Sequence, residues 1–599
     1  MAEPGSPRTT RWLAAVAAVA AAGVVAGCAT VPSGDQPQQI STGSSQIQAY
    51  VQPLPPPGPK QDWTPTQVVL GFLHASASYA FDPAAARQYL APPLSRNWNP
   101  GPVTVVSSVE QPTQLPYHPQ VALPAPAGPE RSVEFTGQRL ATLSQTGQYQ
   151  YSPGTSTYQF ILTQVQGVWL ISTLPLGGQS LLLTQSDFEQ VFQPRNLFFF
   201  APPNSWAVNG ELVPDPVYAP LQSADSALNT NLAAGLVRGL LTDRGSWLSG
   251  ATTTAFPHGT KLLGITFSGQ TAIVNLGGAA AHTSPSAHQA MREQLLATLG
   301  SKAYSTPLAH NVDLEIDGKM QFSGGNGLLV YEVQSGSLVY QAGPGQVNQL
   351  SSSRSLVTQA QVGAGPISAL AATQATAQSP SQVAVAAENG AGCTLYVPAP
   401  GSSPAQYRSY PLSASGGPCT SLSWDANGNV WAVAGQHIWV LGAGTRQPVT
   451  VSGPQNLQPA GSGGASVLAL QMAPDGVRAA LLVRTADGNR LMLAAVTSSH
   501  GVKSLGTAVT VGTSLSGPIA LSWYSSYDLL ALTRTGIWEV PLTGGAAKSL
   551  GPAPAGAVSL ASDGSSLAVG TSHGEILMPS DGGSPWSKVA TGSIPAYSS

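Results

Sequence analysis

A chain of 599 residues, 42% hydrophobic and only 9% charged, is long enough to bury several cores, and its size argues for three domains rather than one. A formal net charge of -3 with no clustered Lys or Arg leaves no electrostatic footprint for a nucleic-acid partner. The 65 Gly and 51 Pro beside so few charges point to many turns and short strands, so the bulk of the chain is expected to be β-rich.

The chain opens with a basic start, Arg8 and Arg11, followed by an apolar run from Trp12 to Val25. That run suits secretion but falls short of the roughly 20 residues that span a bilayer. It ends in Val25-Ala26-Gly27-Cys28, where small residues let an extended backbone enter a peptidase cleft and the Cys28 thiolate takes a diacylglyceryl chain. An ordinary secretory signal that happens to contain a cysteine is the alternative, but the small-small-Cys ending directly follows the apolar run. Residues 1–27 are therefore expected to be removed as a lipoprotein signal peptide. Acyl chains on Cys28, at about 0.8 kcal/mol per buried CH2, would hold the rest on the extracytoplasmic face of the cell membrane. Residues 28–60 are polar and Pro-rich, too poor in apolar surface to fold alone, and read as a tether.

Residues 61–185 read as an α+β domain. Val68, Val69, Phe72, Leu73 and Ser76 follow helical spacing behind the start signal Thr64-Pro65, and a second helix is expected around 82–90. Strand-like alternation then occupies 103–109, 131–145 and 149–173, a set of helices followed by a curved antiparallel sheet.

A second α+β unit is expected over 196–323. The run 196–202 is a compact apolar strand, and 223–242 is an amphipathic helix capped near Ser223. A hairpin turns at Ser268-Gly269, a helix starts at Ser284-Pro285, and a strand ends at Asp317-Gly318.

From 327 to 599 the pattern changes to short strands at recurring intervals. Segments 422–442, 470–496, 521–542 and 559–579 superpose as strand, turn, apolar strand, turn and strand, and 371–399 is a weaker copy. Intervals in the forties suit the blades of an all-β propeller, since one blade cannot bury its own faces and a closed ring can. Five to seven blades fit, with six favoured, and the hairpin 327–343 and the C-terminal segment are placed to share a closing blade.

Beyond Cys28 the only cysteines are Cys393 and Cys419, which export would place in an oxidising compartment. A bridge between them, contributing roughly 3 kcal/mol, and two separate buried thiols are both compatible with their spacing.

No catalytic constellation emerges. Gly570-Thr571-Ser572-His573-Gly574 matches the spacing of a nucleophile elbow, but a strand rather than a helix follows, so a hairpin turn is expected. Asp313, Glu315 and Asp317 alternate on a strand, yet Val312, Leu314 and Ile316 already explain the pattern as core inside and solvated carboxylates outside. His258, His282, His288 and His310 lack the paired spacing of a zinc hydrolase. Ser423 to Trp431 nearly matches the Asp-box turn of sialidase propellers, a structural turn even there, with its Gly one residue late. There is neither a phosphate-cradling Gly-Lys-Ser/Thr loop nor a Cys-x-x-Cys pair, so no metal and no cofactor is implied.

The lipobox followed by CATVPSGDQPQ, the QVVLGFL and AARQYL segments, the middle unit with FPHGTKLLGITFSGQTAIVNL and VDLEIDGK, and the Gly-rich propeller together resemble the actinobacterial lipoprotein LpqB family over nearly the whole chain. Its middle unit looks like a GerMN domain. The resemblance implies a membrane-anchored accessory protein that contacts the extracytoplasmic domain of a sensor histidine kinase of the MtrB kind and tunes that two-component system, with effects on cell wall and division. Of functional residues it carries over Cys28 alone. Two functions remain: a non-catalytic binding module, favoured by the absence of clustered acid/base residues, and a peptidoglycan- or glycan-binding or hydrolysing envelope protein. Converging carboxylates or histidines in the propeller funnel would favour the second, and apolar and aromatic lining the first.

Overall fold

The first described helix, Pro65–Ala77, begins where the sequence places it: Thr64 and Gln67 form a reciprocal capping box, with the Gln67 amide donating to Thr64 Oγ1 at 3.3 Å and the Thr64 amide to Gln67 Oε1 at 2.8 Å. In this computed structural model the described residues run from 57 to 598, interrupted by undescribed stretches of which the longest are 117–128, 203–210, 324–335 and 374–381. The signal, Cys28 and nearly all of the tether lie outside them.

The helix buries Val68, Val69, Phe72, Leu73 and Ser76 against a sheet ordered Val168–Thr173, Tyr149–Val165, Glu130–Leu143, Val103–Val106, Leu181–Thr184, with Thr113–Pro116 on the flank of Glu130–Leu143. One pairing corrects the expected all-antiparallel sheet. Val103–Val106 runs parallel to Leu181–Thr184, because the chain returns to the sheet from the far end through the turn Pro175–Gly178. The 14- and 17-residue strands Glu130–Leu143 and Tyr149–Val165 make a ribbon that reaches about 50 Å if extended. Its tip, around Gly147, leaves the domain and meets the rest of the protein.

Between residues 185 and 196 the chain runs without a linker. Gln185–Val191 is a helix whose Phe188 and Val191 belong to the N-terminal core, and Phe192–Phe200 follows it directly as a strand of the middle unit. That strand pairs with Leu212–Pro220, a strand the sequence reading missed because Pro214, Pro216 and Pro220 argue against one. All three prolines fall on alternate residues, so the missing N–H groups fall on one side of an edge strand and Val213, Asp215 and Val217 keep theirs. The helices Ser226–Thr242 and Pro285–Gly300 then pack on a sheet ordered Lys319–Phe322, Asn311–Ile316, Thr271–Gly278, Thr260–Ser268. Pro285–Gly300, capped by Ser284 as expected, is the crossover that the parallel pair Thr271–Gly278 and Asn311–Ile316 requires. Its buried polar face bonds to other elements of the unit: Gln294 Oε1 accepts from the Ala255 amide at 3.0 Å and Arg292 Nε donates to the Val312 carbonyl at 2.9 Å, while Gln294 Nε2 is buried without a hydrogen-bond partner among the described residues.

Among the described residues, the C-terminal region forms six antiparallel sheets of four or five strands. Their innermost strands, in ring order, are Ser593–Tyr597, Ile367–Ala372, Cys419–Trp424, Ser466–Met472, Ala520–Trp523 and Ala557–Ser562, each lying beside the next and the last beside the first. The first sheet is shared between both ends of the region, since Leu338–Gly343 pairs with the C-terminal Ser593–Tyr597. Ser337 and Ser598 add a further clasp, the Ser337 amide donating to Ser598 Oγ at 2.9 Å and the Ser598 amide to the Ser337 carbonyl at 3.1 Å. A ring joined in this way leaves no end sheet with an unpacked face, and its remaining edges are the short outer strands.

Candidate functional site

Val25, Ala26, Gly27 and Cys28 lie outside the described residues, and the structure takes up the chain at Pro57, whose carbonyl accepts the Tyr89 hydroxyl at 2.6 Å. Tyr89 is fully buried in the N-terminal core, so the segment arriving from Cys28 is fastened to the domain here. Cys393, in the second sheet of the ring, and Cys419, at the start of the third, form a disulfide with a Cα separation of 5.3 Å, within the ordinary range.

Gly570 to Gly574 joins the paired strands Leu567–Thr571 and Glu575–Pro579, and the Ser572 amide donates to the Gly556 carbonyl at 2.8 Å, a hairpin turn. On Asn311–Ile316, Val312, Leu314 and Ile316 point into the core while Asp313 and Glu315 lie half-buried on the other face, with Asp317 in the turn that follows. His288 is buried with Nε2 3.0 Å from the Ala280 carbonyl. Among the described residues, no group of three His, Cys, Asp or Glu is placed to hold a metal ion.

The near Asp-box at 423–431 organises its own turn. Asp425 accepts from the amides of Asn427 and Asn429 at 2.9 and 3.0 Å, from Asn429 Nδ2 and from Trp431 Nε1 at 2.9 Å, with Lys503 Nζ at 3.7 Å. Asp475 and Asp563 hold the corresponding turns of two other sheets in the same manner. These carboxylates are fasteners.

At the centre of the ring is a funnel of about 390 Å³ lined by the six inner strands, with no Asp, Glu, His, Lys or Arg among the described residues of its wall. Its polar atoms knit neighbouring sheets. Ser423 Oγ accepts from the Met472 amide at 2.9 Å, Ser522 Oγ from the Ser562 amide at 3.0 Å, and Ser421 Oγ donates to the Leu470 carbonyl at 2.8 Å. In the opposite direction, Trp424 Nε1 donates to the Ala371 carbonyl at 3.3 Å and Trp523 Nε1 to the Gln471 carbonyl at 3.1 Å. The recurring Leu-Ser-Trp of the sequence, at 422–424 and 521–523, is thus a two-way clasp between sheets, a role the strand pattern alone did not reveal.

A second cavity, of about 530 Å³, lies where the three folded parts meet. The tip of the N-terminal ribbon supplies Gln148, Tyr149 and Gln150, the middle unit Pro216, Trp247 and Ser249, and the fourth and fifth sheets of the ring most of the remainder. Contact at this junction is close. The Tyr218 amide donates to the Gly147 carbonyl at 2.6 Å, and a Cβ on Gly147, whose φ is +85°, would sit 2.3 Å from the Tyr218 carbonyl oxygen. Trp247 is held by Nε1 donating to Asp215 Oδ1 at 3.1 Å, and Gln148 Nε2 donates to Asp215 Oδ2 at 3.2 Å. Val213, Leu248 and Ala251 of the middle unit share an apolar cluster with Val477 and Ala495 of the ring.

The electrostatics of the junction favour neutral forms. Burial, reinforced by Tyr218, Glu189 and Tyr151, pushes the Tyr149 hydroxyl up to about 12. Burial and the nearby Asp475 raise Glu211. Nearby, Asp528 is pushed up to about 7 by burial and by Glu539, while Ser525 Oγ donates to it at 2.9 Å. The Tyr304 hydroxyl of the middle unit reaches across to donate to the Tyr527 carbonyl.

Three family models match successive parts of the chain: the lipoprotein LpqB N-terminal domain at 58–189, a sporulation and spore germination model at 196–321, and the lipoprotein LpqB beta-propeller domain at 348–598. The chain is similar to the lipoprotein LpqB of Thermobifida fusca, 27% identical over 584 residues and 88% of each chain. It is similar to that of Streptomyces coelicolor at 27% over 641 aligned residues, 98% of each. To the lipoprotein LpqB of Mycobacterium tuberculosis it is 30% identical over 219 residues, 36% of this chain and 33% of that one. Among solved structures, a streptogramin B lyase matches 43% of this chain and 86% of its own at 15% identity, with a TM-score of 0.29.

Proposed function

The chain belongs to the lipoprotein LpqB family, and on that premise we propose that it is a non-catalytic binding protein, held by lipid on Cys28 at the extracytoplasmic face of the cell membrane, that docks the outer domain of a sensor histidine kinase of the MtrB kind. Through that contact it tunes two-component signalling and, with it, envelope homeostasis and division. The observation that carries the non-catalytic part is the funnel wall. Acid, base and nucleophile chemistry needs titratable side chains converging on one point, and the wall offers serines, alanines and indoles whose polar atoms are mostly engaged in holding the ring together. Six sheets joined in a ring, with a bonded junction to the other two parts, give a preorganised body, so docking does not have to order it first. Tethering to one surface also raises the effective concentration of a membrane-embedded partner, so a weak interface suffices. No helix among the described residues is long and apolar enough to cross a membrane.

The test has two arms. Metabolic labelling with a fatty-acid analogue should mark the wild-type chain and leave Cys28→Ala unlabelled and unprocessed; label on the variant removes the lipid anchor. Crosslinked recovery of the anchored protein from native membranes should return the sensor kinase, and its consistent absence at full crosslinking yield contradicts the proposed partner.

A further inference from the structure

We propose that the cavity at the junction of the three folded parts is a binding site for a neutral, hydroxyl-rich ligand the size of one or two sugar rings. The proposal does not depend on the identity of any protein partner. Its volume of about 530 Å³ falls within the range of small-molecule sites. Among the described residues no Asp, Glu, Lys, Arg or His lines it, so an ionic ligand would lose its hydration without gaining a counter-charge there.

Two aromatic walls are fixed in advance. Trp247 is fastened through its indole N–H to the buried Asp215 carboxylate, and Tyr149 packs against Phe188 and Tyr218 and abuts Gly544, where a Cβ would come within 2.7 Å of its ring. Indole and phenol rings offer apolar faces to the C–H faces of a sugar, and amides and hydroxyls around them pair its hydroxyl groups. Of the remaining polar lining, Gln148, Thr497, Ser504 and Thr543 bond within the fold, and the rest fits that division. Gln150, Gln455, Thr507 and Thr510 make no side-chain hydrogen bond to described residues, in contrast to the funnel serines that clasp one sheet to the next. Because each folded part contributes lining, an occupant would bridge all three and stabilise their arrangement in proportion to its occupancy.

The test uses the full chain in a zwitterionic detergent, whose head group is not a sugar, titrated calorimetrically with maltose and N,N′-diacetylchitobiose as neutral probes and with glucuronate and glucosamine as charged ones. At least one neutral disaccharide should bind with a submillimolar Kd. Thr510→Val and Gln455→Ala should each weaken it by about tenfold, the loss of one hydrogen bond, while the thermal midpoint of the free protein stays in place. Absence of heat for both neutral probes at tens of millimolar overturns the proposal. So does binding that survives the double variant, or equal affinity for the charged sugars. Co-sedimentation with purified cell-wall polysaccharide distinguishes the source: a disaccharide that binds with co-sedimentation supports a wall-borne ligand, and one that binds without it supports a free sugar.

Discussion

The funnel of the ring and the cavity at the junction are similar in size, about 390 and 530 Å³, and both are rich in hydroxyls, amides and aromatic rings, yet their polar atoms do different work. In the funnel, Ser421, Ser423, Ser522, Trp424 and Trp523 are bonded to backbone atoms of neighbouring sheets. At the junction, Gln150, Gln455, Thr507 and Thr510 face the cavity with no such bond to described residues. Composition of a pocket therefore does not identify a ligand site; what matters is whether its donors and acceptors are already satisfied by the fold.

That contrast yields a graded set of expectations: substitutions in the ring should cost stability, and substitutions at the junction should cost binding. The largest effect is expected at Asp425. Asp425→Ala strands the buried amide of Asn429 and the indole N–H of fully buried Trp431, and should lower stability by about 3–5 kcal/mol in a denaturant titration. A loss below about 1 kcal/mol would mean the turn holds without its carboxylate. Replacing Cys393 and Cys419 together by Ala should cost about 3 kcal/mol, and reductant should destabilise the wild type but not the variant.

Asp528 tests the propeller side of the junction. Its folded pKa of about 7 lies above the unfolded value near 3.8, so the folded state holds the proton more tightly. Its stabilising contribution is complete below the unfolded value and is lost as pH rises through about 7. The groups around it are Glu539, Lys548, Tyr304 and Ser525. Asp528→Asn should flatten the pH profile of the thermal midpoint between about 4 and 7 and raise the midpoint above that window. An unchanged profile would assign the pH dependence elsewhere.

Smaller effects follow. Ser423→Ala should cost about 1 kcal/mol by stranding the Met472 amide. Gln455→Ala, at the mouth of the junction cavity, should leave the denaturant midpoint unmoved; a loss comparable to that of Ser423→Ala would erase the contrast between the two cavities.

Much of the fold was legible because its signals are local. Thr64 with Pro65 and Ser284 with Pro285 announce helix starts from adjacent residues, and the Asp/Asn-Gly turns announce the repeating sheets. Leu212–Pro220 was not legible, since its three prolines satisfy the rule against strands while occupying the one edge where that rule does not apply. The helix Gln185–Val191 was missed because it is short and only Phe188 and Val191 mark its buried side. The junction had no signature at all. Residues 148, 215, 247, 455 and 543 come from three separately patterned regions, and no spacing rule connects positions that only the tertiary structure brings together.

The measurement that tests the central claim most directly is a titration of the soluble body, residues 57–599, against the outer domain of the sensor kinase, with peptidoglycan turnover followed in the same preparation. The account predicts saturable binding to the outer domain and no hydrolysis above the buffer rate. Failure to bind, together with hydrolysis that a single side-chain substitution abolishes, would contradict it and make this protein an envelope enzyme.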